Sequence, residues 1–186
     1  MRLNFGAKPW IYPQPVFVIG TYDEEGNANV MTCVWGGQTS DEEICLCLRE
    51  DHATTKNILN KKEFTVSLAT EEYMAAADFV GLVSAKNYGS KLENAGFTVE
   101  PAQFVDAPLV KELPAAFECR LIGYDETNGH VFGQVINLAM EKSVLGPNGK
   151  PDPKKLKPIM YDPANQTYWT MGEKIGKAFS VGKALR

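Results

Sequence analysis

Two runs of β-branched and aromatic residues, separated by a polar turn with a glycine, constrain this chain most. Val16-Phe17-Val18-Ile19-Gly20-Thr21-Tyr22 leads into Asp23-Glu24-Glu25-Gly26-Asn27 and out through Asn29-Val30-Met31-Thr32-Cys33-Val34-Trp35. That succession predicts a β-hairpin. Glu43-Ile44-Cys45-Leu46-Cys47-Leu48 and Phe64-Thr65-Val66-Ser67-Leu68 add two candidate strands. A second hairpin is expected where Ala116-Phe117-Glu118-Cys119-Arg120-Leu121-Ile122-Gly123-Tyr124 and His130-Val131-Phe132-Gly133-Gln134-Val135-Ile136 flank Thr127-Asn128-Gly129. Strands at this density, with little helix between most of them, point to a mainly β antiparallel barrel or sandwich.

Helix is the minority. Residues 54–60 read as a short helix and 71–80 as a stronger one, built around Tyr73, Met74, Ala77 and Phe79. A third, 90–94, ends at Ala95-Gly96, where glycine takes the left-handed cap. Pro147, Pro151, Pro153 and Pro158, interleaved with Lys150, Lys154, Lys155 and Lys157, mark an exposed loop. No repeat or linker divides the chain, and 186 residues suit a single domain over 1–186.

Charge removes one class of partner. A net charge of -4 argues against nucleic-acid binding through phosphate neutralisation, though not against a local basic pocket for one small anion. Met1-Arg2-Leu3-Asn4-Phe5-Gly6 lacks the form of a signal peptide, and no later run approaches the ~18 apolar residues of a bilayer span. A soluble cytoplasmic protein without membrane contact is the expectation. Cys45 and Cys47 share one face of their strand, and without a second Cys/His pair at ligand spacing they read as small buried hydrophobes rather than a metal site. With only His52 and His130, a histidine-rich metal site is excluded.

No Gly-x-Gly-x-x-Gly, Walker, zinc-protease or kinase pattern occurs. The polar residues that remain cluster where strands meet connecting segments. On strict alternation Asn29, Met31, Cys33 and Trp35 share one strand face and Thr32 takes the other. Arg49-Glu50-Asp51-His52-Ala53-Thr54-Thr55 leaves a strand and enters a helix. Either the helix amides and threonine hydroxyls form a phosphate site, or Thr54 or Thr55 caps the helix. Ser84-Ala85-Lys86-Asn87-Tyr88-Gly89-Ser90-Lys91 is a second polar segment that, alone, reads as a surface loop.

Taken in order, these segments resemble the flavin-reductase-like FMN-binding split barrels, closest to the flavoredoxin-type members, over about residues 13–182. The resemblance rests on Val18-Ile19-Gly20-Thr21 before Asn29-Val30-Met31-Thr32-Cys33-Val34-Trp35, then on Arg49-x-x-His52-x-Thr54-Thr55-x-Asn57-Ile58. Glu63-Phe64-Thr65-Val66-Ser67, Ser84 with Lys91-Leu92-x-x-Ala95-Gly96-Phe97, His130-Val131-Phe132-Gly133-Gln134-Val135, and Pro158-Ile159-Met160-Tyr161 before Tyr168-Trp169 continue the series. The chain departs from the family at Ala85, where glycine is usual, and near Gln134, where an acid is usual.

The resemblance implies an antiparallel, Greek-key-like split β-barrel with a few short flanking helices and one FMN per subunit of a homodimer. Asn29, Met31, Thr32, Cys33, Val34 and Trp35 would line the flavin, with Trp35 alternatively a core residue. Thr55 beside Thr54 would hold the phosphate and Lys91 would supply its countercharge. Arg49 would assist or simply end its strand, and His52 would face phosphate or solvent. Ser84 belongs to the motif that carries Lys91, while His130 and Trp169 would close the site from the partner subunit. No catalytic side chain and no metal are implied. The expected function is an FMN-containing oxidoreductase passing electrons from NADH or NADPH to flavin or another acceptor. A flavoredoxin-like carrier with a redox protein partner is the alternative, and a non-redox ligand-binding barrel the third reading.

Overall fold

The computed structural model describes residues 1–85 and 88–185. Lys86 and Asn87, within the second polar segment, lie outside the described residues. In chain order the strands and helices are β1 (Gln14–Pro15), β2 (Phe17–Tyr22), β3 (Ala28–Cys33), β4 (Gly36–Ser40) and β5 (Glu43–Cys47), then α1 (Ala53–Lys61), β6 (Glu63–Leu68), α2 (Met74–Leu82) and α3 (Lys91–Ala95). After them come β7 (Val99–Pro101), β8 (Pro108–Val110), β9 (Ala115–Asp125), β10 (His130–Met140), α4 (Pro153–Leu156), β11 (Ile159–Asp162) and β12 (Thr167–Thr170).

Seven strands pair in the order β3-β2-β6-β9-β10-β5-β4, every neighbour antiparallel. Laid flat, six interstrand gaps would hold β3 and β4 about 29 Å apart. Only Val34 and Trp35 join those two edge strands, a connection that spans at most about 11 Å. The sheet must therefore curl until its edges meet, and the Cys47 amide donates to the Trp35 carbonyl at 2.7 Å there. This is the expected split barrel.

Two cores follow from the curl. Phe17, Ile19, Leu46, Phe64, Val66, Cys119 and Val131 come from five strands to fill the inside, joined by Ile58 of α1. Outside one end, Val16, Val18 and Val30 pack with Ala77 and Val80 of α2 and with Phe97 and Ile159. Because β2 is buried on both faces, its sequence is continuously apolar rather than alternating. Both hairpins form as expected. Asp23 accepts the Glu25 and Asn27 amides, Asp125 accepts those of Thr127 and Asn128, and Gly129 takes φ 66°.

Several expectations are corrected in detail. Cys45 is half-buried and Cys47 exposed, because Ile44 and Leu46 hold the inner face of β5. The proline- and lysine-rich loop contains α4, with Pro153 in its first turn and Asp152 accepting the Lys154 amide. Two small sheets, β1 with β11 and β12, and β7 with β8, escaped the strand reading, although the segments around Ile159 and Trp169 belong to the motifs of the resemblance. No helix among the described residues is long and apolar enough to cross a membrane.

Gly20 is required by a close approach. A Cβ there would sit 2.4 Å from the Pro108 carbonyl oxygen, which Thr65 Oγ1 already bonds at 2.6 Å. Gly20→Ala is expected to lower stability by about 1–3 kcal/mol, read as a lower urea midpoint at unchanged m-value. An unchanged midpoint would mean that β8 is not held against β2.

Candidate functional site

The start of α1 and the start of α3 face each other across a cavity of about 570 Å³ lined by Asn29, Ala53, Asn57, Tyr88, Ser90 and Lys91. Asn29 enters it from β3, buried, with Nδ2 donating to Thr54 Oγ1 at 2.9 Å. Its other amide atom, Oδ1, is buried without a hydrogen-bond partner among the described residues. Asn57 is anchored by donating to Thr21 Oγ1 at 3.0 Å. His52 is the N-cap of α1 and gives no side-chain cap, so the amides of Ala53, Thr54 and Thr55 open a nine-residue helix with no intrahelical acceptor.

Lys91 is the unusual member. It is 5% exposed, and among the described residues its ammonium meets no carboxylate and no hydrogen-bond acceptor. Burial alone brings its pKa down from an ordinary 10.5 to about 8. The cavity therefore offers a desolvated cation and the positive end of a helix, together with an acceptor in Asn29 Oδ1 that lacks a donor. That set suits a ligand bearing both an anionic group and hydroxyls.

The structure brings some expected residues together here and leaves others elsewhere. Thr54 and Thr55 are buried behind the wall, and the Thr55 hydroxyl donates to the Arg49 carbonyl at 2.7 Å. Ala53 and Asn57 supply the share of α1 in the lining instead. Asn57 and Ser90 were absent from the expected site. A turn of helix separates Asn57 from Thr54, and that one-face spacing was the available signal.

Along β3 the alternation holds. Met31 and Cys33 turn into the barrel core, Thr32 bonds the Ala77 carbonyl on the α2 side, and Val34 packs in the outer core. Cys33 is 5% exposed, its thiol donates to the Trp35 carbonyl at 3.3 Å, and burial pushes its pKa up to about 12. Among the described residues β3 has only β2 as a ladder neighbour, so its outer backbone groups are free of that sheet.

At the far end of β3, Trp35 is 38% exposed and lines a second cavity of about 640 Å³ with Cys47 and Arg49. Arg49 pairs with Asp51 at 3.0 Å in the open, a contact worth little. His52 and His130 are half-buried, and His130 stands opposite Cys47 across the β10–β5 pair with its ring edge-on to Phe132. Ser84 is exposed ahead of α3. Trp169, 62% exposed in β12, lines an apolar groove with Tyr12, Pro13 and Met160. Within one chain, neither His130 nor Trp169 lines the Lys91 cavity. Among the described residues no three metal-ligating side chains converge.

Comparison with known proteins bears on this geometry. A family model described as "Flavin reductase like domain" matches residues 10–168. The flavoredoxin of Desulfovibrio vulgaris (Miyazaki F) is 34% identical and superposes with a TM-score of 0.93 over 98% of this chain and 100% of that one. A flavoredoxin from Methanosarcina acetivorans is 27% identical, TM-score 0.90, with all of both chains covered. The FMN-binding domain of a flavin reductases-like enzyme from Shewanella baltica OS155 shares the fold at 20% identity and TM-score 0.78, covering 88% and 89% of the two chains.

Proposed function

The chain belongs to the flavin reductase-like family, and from that premise we propose that it is an FMN-dependent oxidoreductase taking electrons from NADH or NADPH. The observation that carries this reading is the buried Lys91, whose ammonium has no partner among the described residues, beside the first amides of α1, which His52 leaves uncapped. A cation held out of water needs an anion, and the doubly charged phosphate of FMN is one. The FMN-binding relative from Shewanella and the two flavoredoxins support flavin as the ligand class.

In this reading Lys91, Ser90 and the first amides of α1 hold the phosphate, and Asn29 Oδ1 accepts from a ribityl hydroxyl. Backbone groups on the free edge of β3 bind the polar rim of the ring. Thr54 and Thr55 act one layer back, Thr54 by orienting Asn29 and Thr55 by fixing the turn at Arg49. His130 and Trp169 complete the site from a second copy, which makes the active form a homodimer. Bound FMN supplies the hydride acceptance and the onward electron transfer.

The side chains position and shield, and none acts as acid or base. Cys33 is a protonated thiol at neutral pH, with its pKa near 12, and is walled into the core. Cys33→Ala should therefore leave the rate of flavin reduction within a few-fold at full FMN occupancy, measured by stopped flow. Abolished reduction would assign that thiol a redox part.

The test of the whole reading is optical. The purified protein should hold one FMN per chain or take it up when offered, and NADH or NADPH should bleach its visible absorption without oxygen. A protein that binds no FMN would end the proposal. The likeness to two flavoredoxins over nearly the full chain favours a second version, an electron carrier serving a redox protein. Steady turnover of added free flavin by NAD(P)H marks the reductase, and its absence with FMN bound marks the carrier.

A further inference from the structure

The segment 172–186 differs in chemistry from the rest of the chain. It carries Lys174, Lys177, Lys183 and Arg186 against Glu173 alone, so a net +3 segment follows a body (1–171) at -7, within a chain of net -4. Interleaved with those cations are Ile175, Phe179, Val181 and Leu185, exposed to 101%, 99%, 65% and 92%. The segment is locally folded, with the Ser180 and Val181 amides donating to the Lys177 carbonyl at 3.2 Å and a 3-10 helix at Val181–Leu185. An ordered segment holding its apolar side chains in water is a contact surface without its counterpart.

One surface of the body has the opposite character. The Trp35 cavity has a floor of Trp35, Leu48 and Cys47 and a rim of Glu50, Asp51 and Glu126. Its one cation, Arg49, is already tied to Asp51. Tyr124, also in the lining, has a buried hydroxyl with no hydrogen-bond partner among the described residues, and burial together with Glu50, Glu126 and Asp125 raises its pKa. The remaining cavities fit less well. The cavity near Glu112 contains Lys111, Lys155 and Lys157, the one beside Met140 also contains Lys111, the α3 cavity contains Lys91, and in the Trp169 groove Asp162 is occupied by Tyr12.

We propose that segment 172–185 of one copy settles on the Trp35–Tyr124 cavity of a second copy, Ile175 and Phe179 over the apolar floor and the lysines against the carboxylate rim. The chain's own cavity is open, yet its segment stands clear of it with these side chains fully in solvent, so the occupant is the other copy's segment. The inference rests on the dimer in the proposed function and adds a wall to it: the exchanged segment covers the cavity at the end of β3 opposite the Lys91 site.

Cys47 gives a direct test, being an exposed thiol in the floor. Phe179→Cys and Ile175→Cys variants of the full chain, oxidised with diamide, should run mostly as a two-chain species on non-reducing gels and return to one chain with dithiothreitol. Adding Cys47→Ser should remove that species, and raising the salt should lower its yield. A linkage confined to one chain, shown by mass spectrometry after mixing isotope-labelled and unlabelled copies, would overturn the exchange. So would the absence of any Cys47-dependent link in both variants. Sedimentation of the wild type separates the two failures: a dimer without the link removes only the exchanged segment, whereas a monomer removes the dimer itself.

Discussion

Lys91→Met is expected to weaken FMN by about ten- to a hundred-fold while leaving riboflavin affinity unchanged, and at the same time to stabilise the ligand-free protein. The first effect is the loss of one charge-assisted hydrogen bond to phosphate, about 1.5–3 kcal/mol. Riboflavin has no phosphate and so nothing to lose at this position. The second effect follows from burial. In the ligand-free protein Lys91 is 5% exposed with a pKa near 8, against 10.5 for the ordinary group. The unfolded chain holds that proton more readily than the folded one, so at pH 7 the charge opposes folding. A methionine of similar length fills the space without the charge and should return about 1–3 kcal/mol. Isothermal titration with both ligands and urea unfolding of the ligand-free variant make the measurement. Equal losses for FMN and riboflavin, or a less stable variant, would show that Lys91 serves the fold and not the phosphate.

The strands were legible where a local rule operated. β2 and β3 announced themselves because a tight turn with Asp23 and Gly26 separates two β-branched runs, and the alternation on β3 put Met31 and Cys33 on one face, which only the structure shows to be the inner one. The β9–β10 hairpin was legible for the same reason, its turn residues making their own backbone bonds. β4 was not. Gly36-Gly37-Gln38-Thr39-Ser40 reads as a break, and it becomes a strand only because β5 pairs with it at the seam. Equally invisible was the placing of β6 between β2 and β9, since nothing within β6 names its partners. Cys45 and Cys47 misled because inward and outward faces of β5 cannot be told apart until Ile44 and Leu46 are seen in the core.

The site was less legible than the fold. Spacing alone gave a phosphate site or a helix cap at Thr54 and Thr55, and the structure shows both hydroxyls engaged inward behind the cavity wall. Lys91 entered through family resemblance, because the burial of a lysine depends on residues more than sixty positions away, Asn29 among them. Asn57 was within the resembling motif, yet its role needs the rotation of α1 that turns it toward Thr21 of β2 and the cavity. A sequence displays which side chains exist, while desolvation is a property of the closed fold. That is why the most informative number at this site, the lowered pKa of Lys91, had no precursor in the sequence.

The same number fixes how binding should vary with pH. Below about pH 8 the ligand-free site carries a charged Lys91, and above it the ammonium is lost before phosphate can bind. Phosphate raises the pKa of the lysine it touches, so binding above this point takes up a proton. The FMN dissociation constant should therefore be nearly flat from about pH 6.5, where the phosphate is mostly doubly charged, to pH 8. From there it should rise by up to about tenfold per unit as pH increases, the limit for one proton taken up. Stability moves the other way. A base whose folded pKa is depressed adds stability as pH rises, here between about 8 and 10.5, because the unfolded chain holds the extra proton throughout that window. Loss of FMN above pH 8 thus coincides with a ligand-free fold whose Lys91 contribution is becoming more favourable, and unfolding cannot imitate it. Fluorescence titrations with FMN and riboflavin from pH 6.5 to 9.5 read the effect directly. The Lys91→Met variant should show no break near pH 8, and a break that survives in the variant would move the titrating group to another residue.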